Sequence, residues 1–241
     1  MSTKWISHRG ESYDAPENTI PAFRLSQERK TDGMECDIYF TNDGKVVCNH
    51  DGDTGRVSGG FIKASVTESS YAGLQMIDVW NKKAGYEGTR IPLFTDTLPY
   101  LGEGREYYVE IKKGDLNMVP ELLKIIDNSG IPAEQFTMIC FGDEVVKFYK
   151  ELAPNRKALL LIGSGVDAET AIARLKACNA DGVDIAFTDI IDEKYVAAVR
   201  EAGFGFAVWT VDLPEAARRC LDLKVDAITS NRAAWLQEMF S

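Results

Sequence analysis

The sequence predicts an α/β fold, a (β/α)8 barrel of the TIM type, from three observations. Short apolar runs alternate with amphipathic helical stretches along nearly all of the 241 residues, as in a mainly parallel sheet covered by helices. Polar residues follow several of the apolar runs, at the strand ends where the functional loops of such barrels lie. A doubly wound sheet would more often have a glycine-rich loop after its first strand, and His8-Arg9-Gly10 is not one.

Nine runs are candidate strands: residues 4–7, 34–40, 45–49, 107–111, 136–141, 158–162, 182–185, 205–211 and 225–229. An eight-fold barrel needs one fewer. Asn42-Asp43-Gly44 is a strong tight-turn signal, so the second and third runs are expected to form an antiparallel hairpin. One arm then belongs to the barrel and the other extends it.

Seven helices are expected between and after the strands: residues 19–29, 119–128, 144–152, 168–178, 193–201, 214–223 and 233–239. Pro214 lies in the first turn of one of them, and Gly130 and Gly203 lie just past the last turns of two others.

The stretch from about residue 52 to residue 86 breaks the alternation and is rich in Gly, Ser, Thr and Tyr. It is too long for an ordinary loop, so it predicts a small inserted subdomain or lid directly after His50-Asp51. Residues 1–241 are otherwise expected to form a single domain.

Composition excludes several classes of function. The formal charge of −10 argues against a nucleic-acid partner, which requires clustered basic residues. The five cysteines are odd in number and lack metal-ligand spacing, so we interpret them as buried reduced thiols. No apolar run approaches ~18 residues, so no transmembrane segment is expected, and no signal peptide is evident. The chain is therefore expected to be cytoplasmic, or periplasmic or secreted if a signal peptide was removed; its oligomeric state is left open.

The two histidines are the most informative residues. His8 and His50 each follow a strand-like run, and Glu35 and Asp37 lie between them in the sequence. Residues two apart in a strand share a face, so Glu35 and Asp37 project together. If Asp43-Gly44 is a two-residue turn, Asp37 lies directly opposite His50 in the hairpin. This pattern predicts acid–base chemistry beside a metal ion.

Glu110 adds a third carboxylate, and Lys112 follows it on the same face. Three oxygen ligands suit one hard divalent cation, Mg²⁺ or Ca²⁺. The structural alternatives are solvated edge charges for Glu35 and Asp37, and a simple Glu110–Lys112 ion pair. His8 alone could equally be a hydrogen-bonded core histidine.

Other residues complete the candidate pocket. Arg9 presents a fork of donors that suits phosphate or carboxylate oxygens, and Gly10 allows close backbone approach. Trp209 near a strand end either covers the apolar side of the pocket or packs in the core, and Phe141 is a weaker candidate. Residues 181–184 are expected to form a loop and the start of a strand, without a chemical role. A Gly-x-Ser-x-Gly elbow is absent from the sequence, and Cys36 and Cys48 are expected to point away from the site.

Several segments together resemble the glycerophosphodiester phosphodiesterase family. The resemblance spans about Trp5 to Trp235 and is most specific in the first 50 residues. The matching segments are Ser7-His8-Arg9-Gly10, Pro16-Glu17-Asn18-Thr19 with Ala22-Phe23, Glu35-Cys36-Asp37, Thr41-Asn42-Asp43-Gly44, Val47, His50-Asp51, Ile91-Pro92-Leu93-Phe94-Thr95-Asp96-Thr97-Leu98 and Glu110-Ile111-Lys112.

The resemblance implies a TIM-type barrel with a small insertion after His50-Asp51. It also implies an enzyme, a phosphoric diester hydrolase of lipid and glycerol metabolism, that cleaves glycerophosphodiesters to sn-glycerol 3-phosphate and an alcohol. The implied roles are metal ligation for Glu35, Asp37 and Glu110, and acid–base catalysis for His8 and His50. Arg9 and Lys112 match phosphate-contacting positions, and Trp209 matches an aromatic residue of the substrate pocket.

Two segments depart from the family pattern. Residues 51–57 replace the usual run after His-Asp, which bears on the lid and on the alcohol it admits. Thr229-Ser230-Asn231-Arg232 replaces Thr-Asp-x-Pro at the last strand, where Ser230 or Asn231 is expected to cap the final helix. Two alternative functions are a related barrel phosphodiesterase acting on lysophospholipids by hydrolysis or cyclisation, and a non-catalytic barrel that binds phosphate esters.

Overall fold

The computed structural model describes residues 2–241; Met1, the first residue of the predicted domain, lies outside the described residues. The strands are β1 (Lys4–Ser7), β2 (Gly33–Phe40), β3 (Val46–Cys48), β4 (Glu106–Ile111), β5 (Phe136–Cys140), β6 (Lys157–Ile162), β7 (Gly182–Ala186), β8 (Gly205–Trp209) and β9 (Ala227–Ser230). The α-helices are α1 (Ile20–Glu28), α2 (Tyr71–Leu74), α3 (Phe94–Thr97), α4 (Met118–Asn128), α5 (Asp143–Leu152), α6 (Ala168–Cys178), α7 (Glu193–Glu201), α8 (Pro214–Asp222) and α9 (Ala233–Phe240).

Eight parallel strands close into a barrel, which confirms the predicted fold. The strand order is β1-β9-β8-β7-β6-β5-β4-β2-β3, and β1 also pairs with β2, so the sheet joins itself. β3 pairs with β2 in antiparallel fashion, with an isolated bridge from its Val47 to Leu93, and is the ninth strand that the eight-fold repeat does not need. One expected barrel helix is reduced to the short α3 and a 3-10 turn over Leu98–Tyr100, which the sequence pattern did not predict.

Alternation along the strands separates two layers of core. Outward-facing residues of β2, including Met34, Cys36 and Ile38, pack in the main cluster between sheet and helices. Inside the barrel a smaller apolar cluster fills the floor: Ile6, Tyr108, Ile139, Leu159, Leu161, Ala207 and Ala227, with Trp209 against it. The inward positions of β2 hold Glu35 and Asp37 instead, above this floor. The barrel is therefore packed below and polar above.

The insertion after His50-Asp51 has a small core of its own. This cluster consists of Tyr39, Val47, Val57, Val66, Leu74, Ile77, Val79 and Ile91, with Ala64, Tyr71 and Leu93 packed against it. Tyr39 and Val47 come from the β2–β3 hairpin, so the hairpin joins the insertion to the barrel wall. Lys83 of the insertion also donates to the backbone carbonyl of Ser12 at 2.6 Å, beside the loop after β1.

The register predicted for the hairpin is wrong by one residue. Ile38 pairs with Cys48, and the Asn49 amide donates to the Asp37 carbonyl, so Asp37 lies opposite Asn49 and not His50. The turn contains three residues, because the Gly44 amide bonds back to Thr41 and Gly44 takes a φ of +73°. A three-residue turn of this kind ends in a left-handed residue, which glycine supplies at little cost.

The cysteines and the helix lengths can be compared with the expectations from composition. All five cysteines are buried and unpaired, and Cys36 and Cys48 face the outer core as expected. Within residues 2–241, none of the helices has the length and hydropathy that a membrane crossing requires.

Candidate active site

Three buried carboxylates meet at the carboxyl ends of two neighbouring strands. Glu35 and Asp37 leave β2 on its inner face, and Glu110 leaves β4 beside them, because Asp37 and Glu110 are paired in the parallel register. Each offers an oxygen that lies within 4.8 Å of those of the other two. Oxygens around one Mg²⁺ or Ca²⁺ ion, each about 2.0–2.6 Å from it, have comparable mutual spacing.

The electrostatics of this cluster favour a cation. Burial and the charge of Asp37 raise the pKa of Glu35 well above its usual range, and the same two causes raise the pKa of Glu110 to about 8. Burial also opposes ionisation of Asp37, but Arg9 and Lys112 outweigh it and hold the pKa of Asp37 well below its usual range. Asp37 Oδ1 is buried and has no hydrogen-bond donor within the part of the chain that the structure describes. An all-oxygen set with excess negative charge and an unsatisfied oxygen fits a hard divalent cation.

Arg9 is held in an unusual backbone conformation above the cluster. Its φ of 56° turns its amide toward Glu35, to which it donates at 2.8 Å. The guanidinium donates to Glu17 at 2.8 Å, and its Nε lies 3.4 Å from Asp37 Oδ2. Gly10 follows with a φ of +74°, and a Cβ there would lie 2.5 Å from the backbone of Ala22. The segment therefore requires glycine to bring Arg9 over the carboxylates.

Lys112 supplies the second positive charge. Its Nζ lies 2.8 Å from Glu110 Oε1 and 3.4 Å from Asp37 Oδ1, so it bridges carboxylates from two strands. The ion pair with Glu110 that the sequence left open is thus present, but inside the site and not on an outer surface.

The His8 imidazole is 15% exposed and its orientation is set by Asn231. Nδ1 lies 2.7 Å from Asn231 Oδ1, while the Asn231 amide nitrogen donates to Asp212 at 2.6 Å. Because the Asn231 oxygen faces the ring, His8 Nδ1 carries the hydrogen. Nε2 is left with its lone pair directed toward the carboxylates, 4.0 Å from Glu35. Burial, reinforced by the charge of Arg9, lowers the pKa of His8 to about 4.

The His50 imidazole is one-third exposed and its orientation is set by a carboxylate. Its Nδ1 donates to Asp51 at 2.8 Å, and Arg56 donates to the other oxygen of Asp51 at 2.7 Å. Arg56 also donates to Glu17 at 2.9 Å, and this carboxylate is the one that holds Arg9. Burial lowers the pKa of His50, but the charge of Asp37 and the hydrogen bond to Asp51 oppose the shift.

Several positioning residues have no part in the sequence-based prediction. Asn18 donates to Asp37 Oδ2 at 2.7 Å and accepts from the Asp37 amide at 3.2 Å, so it fixes that carboxylate from both sides. Asn231, expected to cap α9, contacts His8 instead, and the residue before α9 is Arg232, whose amide donates to Ser230. Asn18 belonged to a resembling motif, but neither residue carries a local signal that names its distant partner.

A cavity of about 100 Å³ opens beside the two imidazoles. Its lining includes His8, Arg9, Glu35, His50 and Glu110 on one side and Ile139, Phe141, Leu161, Asp184, Trp209 and Thr229 on the other. The Phe141 and Trp209 rings meet edge to face with centroids 5.7 Å apart. The predicted site residues thus line the cavity, except Asp37 and Lys112, which contact residues that do.

This fold and this site together define a class of protein. Active sites of (β/α)8 enzymes lie at the carboxyl ends of the strands, where these carboxylates and imidazoles converge. The site combines carboxylate ligands for a hard cation with two imidazoles, an arginine and a lysine. This combination is typical of a barrel hydrolase that acts on phosphate esters.

The chain belongs to the glycerophosphoryl diester phosphodiesterase family, whose profile matches residues 8–234. The glycerophosphodiester phosphodiesterase of Caldanaerobacter subterraneus subsp. tengcongensis is 29% identical over 240 residues, which cover 96% of this chain and 95% of that protein. The family resemblance noted in the sequence is confirmed, and with it the prediction that the protein is an enzyme.

Solved structures agree on the fold. A crystal structure of a putative glycerophosphoryl diester phosphodiesterase from Agrobacterium tumefaciens superposes with a TM-score of 0.89 at 19% identity, covering 99% of this chain and 97% of that one. An Oleispira antarctica phosphodiesterase, solved in complex with the product sn-glycerol-3-phosphate, gives a TM-score of 0.86 at 20% identity, again covering 99% and 97%.

Proposed function

We propose that this enzyme hydrolyses glycerophosphodiesters to sn-glycerol 3-phosphate and an alcohol, using one divalent cation, Mg²⁺ or Ca²⁺. The observation that carries the proposal is the cluster of Glu35, Asp37 and Glu110, whose ligand oxygens lie within 4.8 Å of one another beside two imidazoles. Family membership and the product named for the Oleispira antarctica structure support the choice of substrate.

The three carboxylates would hold the cation, which when bound supplies positive charge that polarises the phosphoryl group and activates the attacking hydroxyl. Arg9 and Lys112 neutralise charge that grows on the phosphoryl oxygens. Both contact Asp37, one of the carboxylates that would hold the cation. Trp209 covers the apolar side of the substrate.

The two imidazoles take different parts in the proposed reaction. His8 is the general base, because its pKa near 4 leaves Nε2 unprotonated at neutral pH. His50 is the general acid, because Asp51 stabilises its protonated form and because its imidazole is the more exposed of the two. Each imidazole is expected to contribute about 10²–10⁴-fold to the rate.

A substrate panel tests the proposal. Purified protein is incubated with glycerophosphocholine, glycerophosphoethanolamine, glycerophosphoinositol and a lysophospholipid, with EDTA or with added Mg²⁺ or Ca²⁺, and sn-glycerol 3-phosphate is measured. We expect release of sn-glycerol 3-phosphate that stops in EDTA and returns with a divalent ion. Glu35→Gln should abolish it, while Glu193→Gln, at an exposed position on α7, should not.

Two results would contradict the proposal. Full activity in EDTA, with metal absent by elemental analysis, would remove the cation. A cyclic phosphate product, or turnover of the lysophospholipid alone, would assign the enzyme to the related barrel phosphodiesterases.

A further inference from the structure

The wall of the cavity that faces the carboxylate cluster holds polar groups without partners. Asp184 on β7 is 1% exposed and Thr229 on β9 is 2% exposed. Asp184 Oδ1 and Thr229 Oγ1 are both buried and have no hydrogen-bond partner among the residues that the structure describes, although both residues line the cavity. β7 stands four strands from β2 in either direction round the barrel, so Asp184 lies across the cavity from Glu35.

The described residues around Asp184 offer no hydrogen-bond partner to its side-chain Oδ1. Its partners in the strand register are Leu161 and Ala207, which offer no polar side-chain atom. The Trp209 indole donates at 3.0 Å to the backbone carbonyl of Asp184 and not to its side chain. Leaving a buried polar group unpaired costs about 1–3 kcal/mol, so a cavity whose lining retains two such groups points to a ligand that satisfies them.

The chemistry of the pair selects the kind of ligand. Burial raises the pKa of Asp184 to about 7, and Lys157 opposes this only in part. A neutral carboxyl both donates and accepts, as does the Thr229 hydroxyl, and a substrate hydroxyl group does the same. A phosphate offers only acceptors to such a pair, and a cation needs an ionised carboxylate.

We propose that Asp184 and Thr229 form a hydroxyl-binding subsite that recognises the glycerol moiety of the substrate. This inference rests on the proposed function, in which the phosphate lies at the carboxylate cluster. The cavity volume of about 100 Å³ admits a three-carbon fragment but not a large headgroup. Ile139, Leu161 and Trp209 contact its carbons, and the alcohol moiety lies outward, toward His50 and the insertion.

The test compares two ligands that differ only in hydroxyl groups. sn-Glycerol 3-phosphate and propyl phosphate are titrated calorimetrically into the Mg²⁺-loaded protein, its Asp184→Leu variant and its Asp184→Asn variant. We expect the parent protein to bind sn-glycerol 3-phosphate at least tenfold more tightly than propyl phosphate, because a site built for a hydroxyl disfavours the ligand that lacks it. Asp184→Leu should reduce the ratio to about one, with the affinity for propyl phosphate changed less than threefold.

Asp184→Asn retains a donor and an acceptor at the same volume and should keep most of the preference. If Asp184→Leu fails to fold, Thr229→Val takes its place. Thr229→Val should then show a smaller preference for sn-glycerol 3-phosphate over propyl phosphate than Asp184→Asn does. Equal loss of both ligands in Asp184→Leu or Thr229→Val would make the role merely structural and overturn the subsite. An unchanged ratio in these variants, or a parent protein that does not distinguish the two ligands, would overturn it as well.

The same measurements separate this inference from the proposed function. Binding does not require turnover, so an enzyme that fails to hydrolyse glycerophosphodiesters but distinguishes the two ligands through Asp184 loses the function and keeps the subsite. An enzyme that hydrolyses them while Asp184→Leu keeps the parental ratio loses the subsite and keeps the function.

Discussion

The two histidines face the same cavity but are held by opposite means. His8 follows a barrel strand, is only 15% exposed, and gives its Nδ1 hydrogen to a neutral amide oxygen of Asn231. His50 follows the hairpin, is one-third exposed, and gives its Nδ1 hydrogen to the carboxylate of Asp51. In both rings Nδ1 is engaged and Nε2 is left for chemistry, but only His50 has a carboxylate, that of Asp51, on its Nδ1 side.

This difference supports the proposed roles of general base for His8 and general acid for His50. A carboxylate behind an imidazole stabilises the protonated ring, whereas a neutral amide fixes the tautomer without favouring the charge. The barrel side of the site, around His8, therefore suits proton acceptance, and the loop side, around His50, suits proton donation. Rigid strands hold the first, and solvent-exposed ion pairs hold the second.

The largest expected effect comes from replacing each histidine, and two substrates with different leaving groups distinguish the two histidines. His8→Ala and His50→Ala should each slow hydrolysis of glycerophosphocholine by about 10²–10⁴-fold. With a p-nitrophenyl leaving group no proton donor is needed, so His50→Ala should regain most of its activity while His8→Ala should not. Steady-state kinetics on both substrates measure this. Recovery of His8→Ala alone would exchange the two roles, and recovery of neither would remove the acid–base assignment.

The next effect concerns how the barrel side fixes its carboxylate. Asn18 adopts a φ of 55°, so glycine replaces it without backbone strain, and Asn18→Gly removes both of its contacts with Asp37. We expect the affinity for Mg²⁺ or Ca²⁺, measured by calorimetry, to fall about 10–100-fold, as is typical when a residue that orients a ligand is lost. Lys30→Gly is the matched control, since Lys30 is exposed and has a φ of 57°. Equal losses in both variants would mean that Asn18 acts through backbone stability alone.

The pH profile sharpens the comparison further. The hydrogen bond to Asp51 raises the pKa of His50, so Asp51→Asn should lower it. A general acid must be protonated, and the fall in kcat/KM toward high pH should therefore begin at a lower pH in the variant. The acid limb belongs to His8, whose pKa is about 4, and should not move. A profile whose acid limb moves instead would place the base on the loop side.

The residues carried by strands could be predicted from the sequence, whereas the distant contact of His8 and the hairpin register could not. Period-two alternation and strand ends located the carboxylates and both histidines, because a strand dictates which side chains share a face. Asn231 could not be found, because its contact with His8 spans 223 residues and depends on barrel closure. The hairpin register was wrong because turn length, two residues or three, is not determined by Asn-Asp-Gly alone.

Asp184 illustrates a second reason why the sequence alone misses a candidate site residue. An acidic residue is visible within Gly182–Ala186, but the local pattern predicts only a loop and the start of a strand. Which face of that strand points inward depends on its register with β6 and β8, and the local pattern does not contain that information.

The smallest expected effect lies on the loop side. Arg56 is 42% exposed and joins Asp51 to Glu17 through ion pairs. Exposed pairs contribute about 0–1 kcal/mol each, so Arg56→Gln should reduce kcat/KM by no more than about fivefold. The deficit should shrink in about 0.5 M NaCl, because salt screens the parental pair and the variant has none to lose. A large loss that is insensitive to salt would mean that Arg56 holds His50 as firmly as Asn231 holds His8, and the contrast between a rigid and a compliant side would not stand.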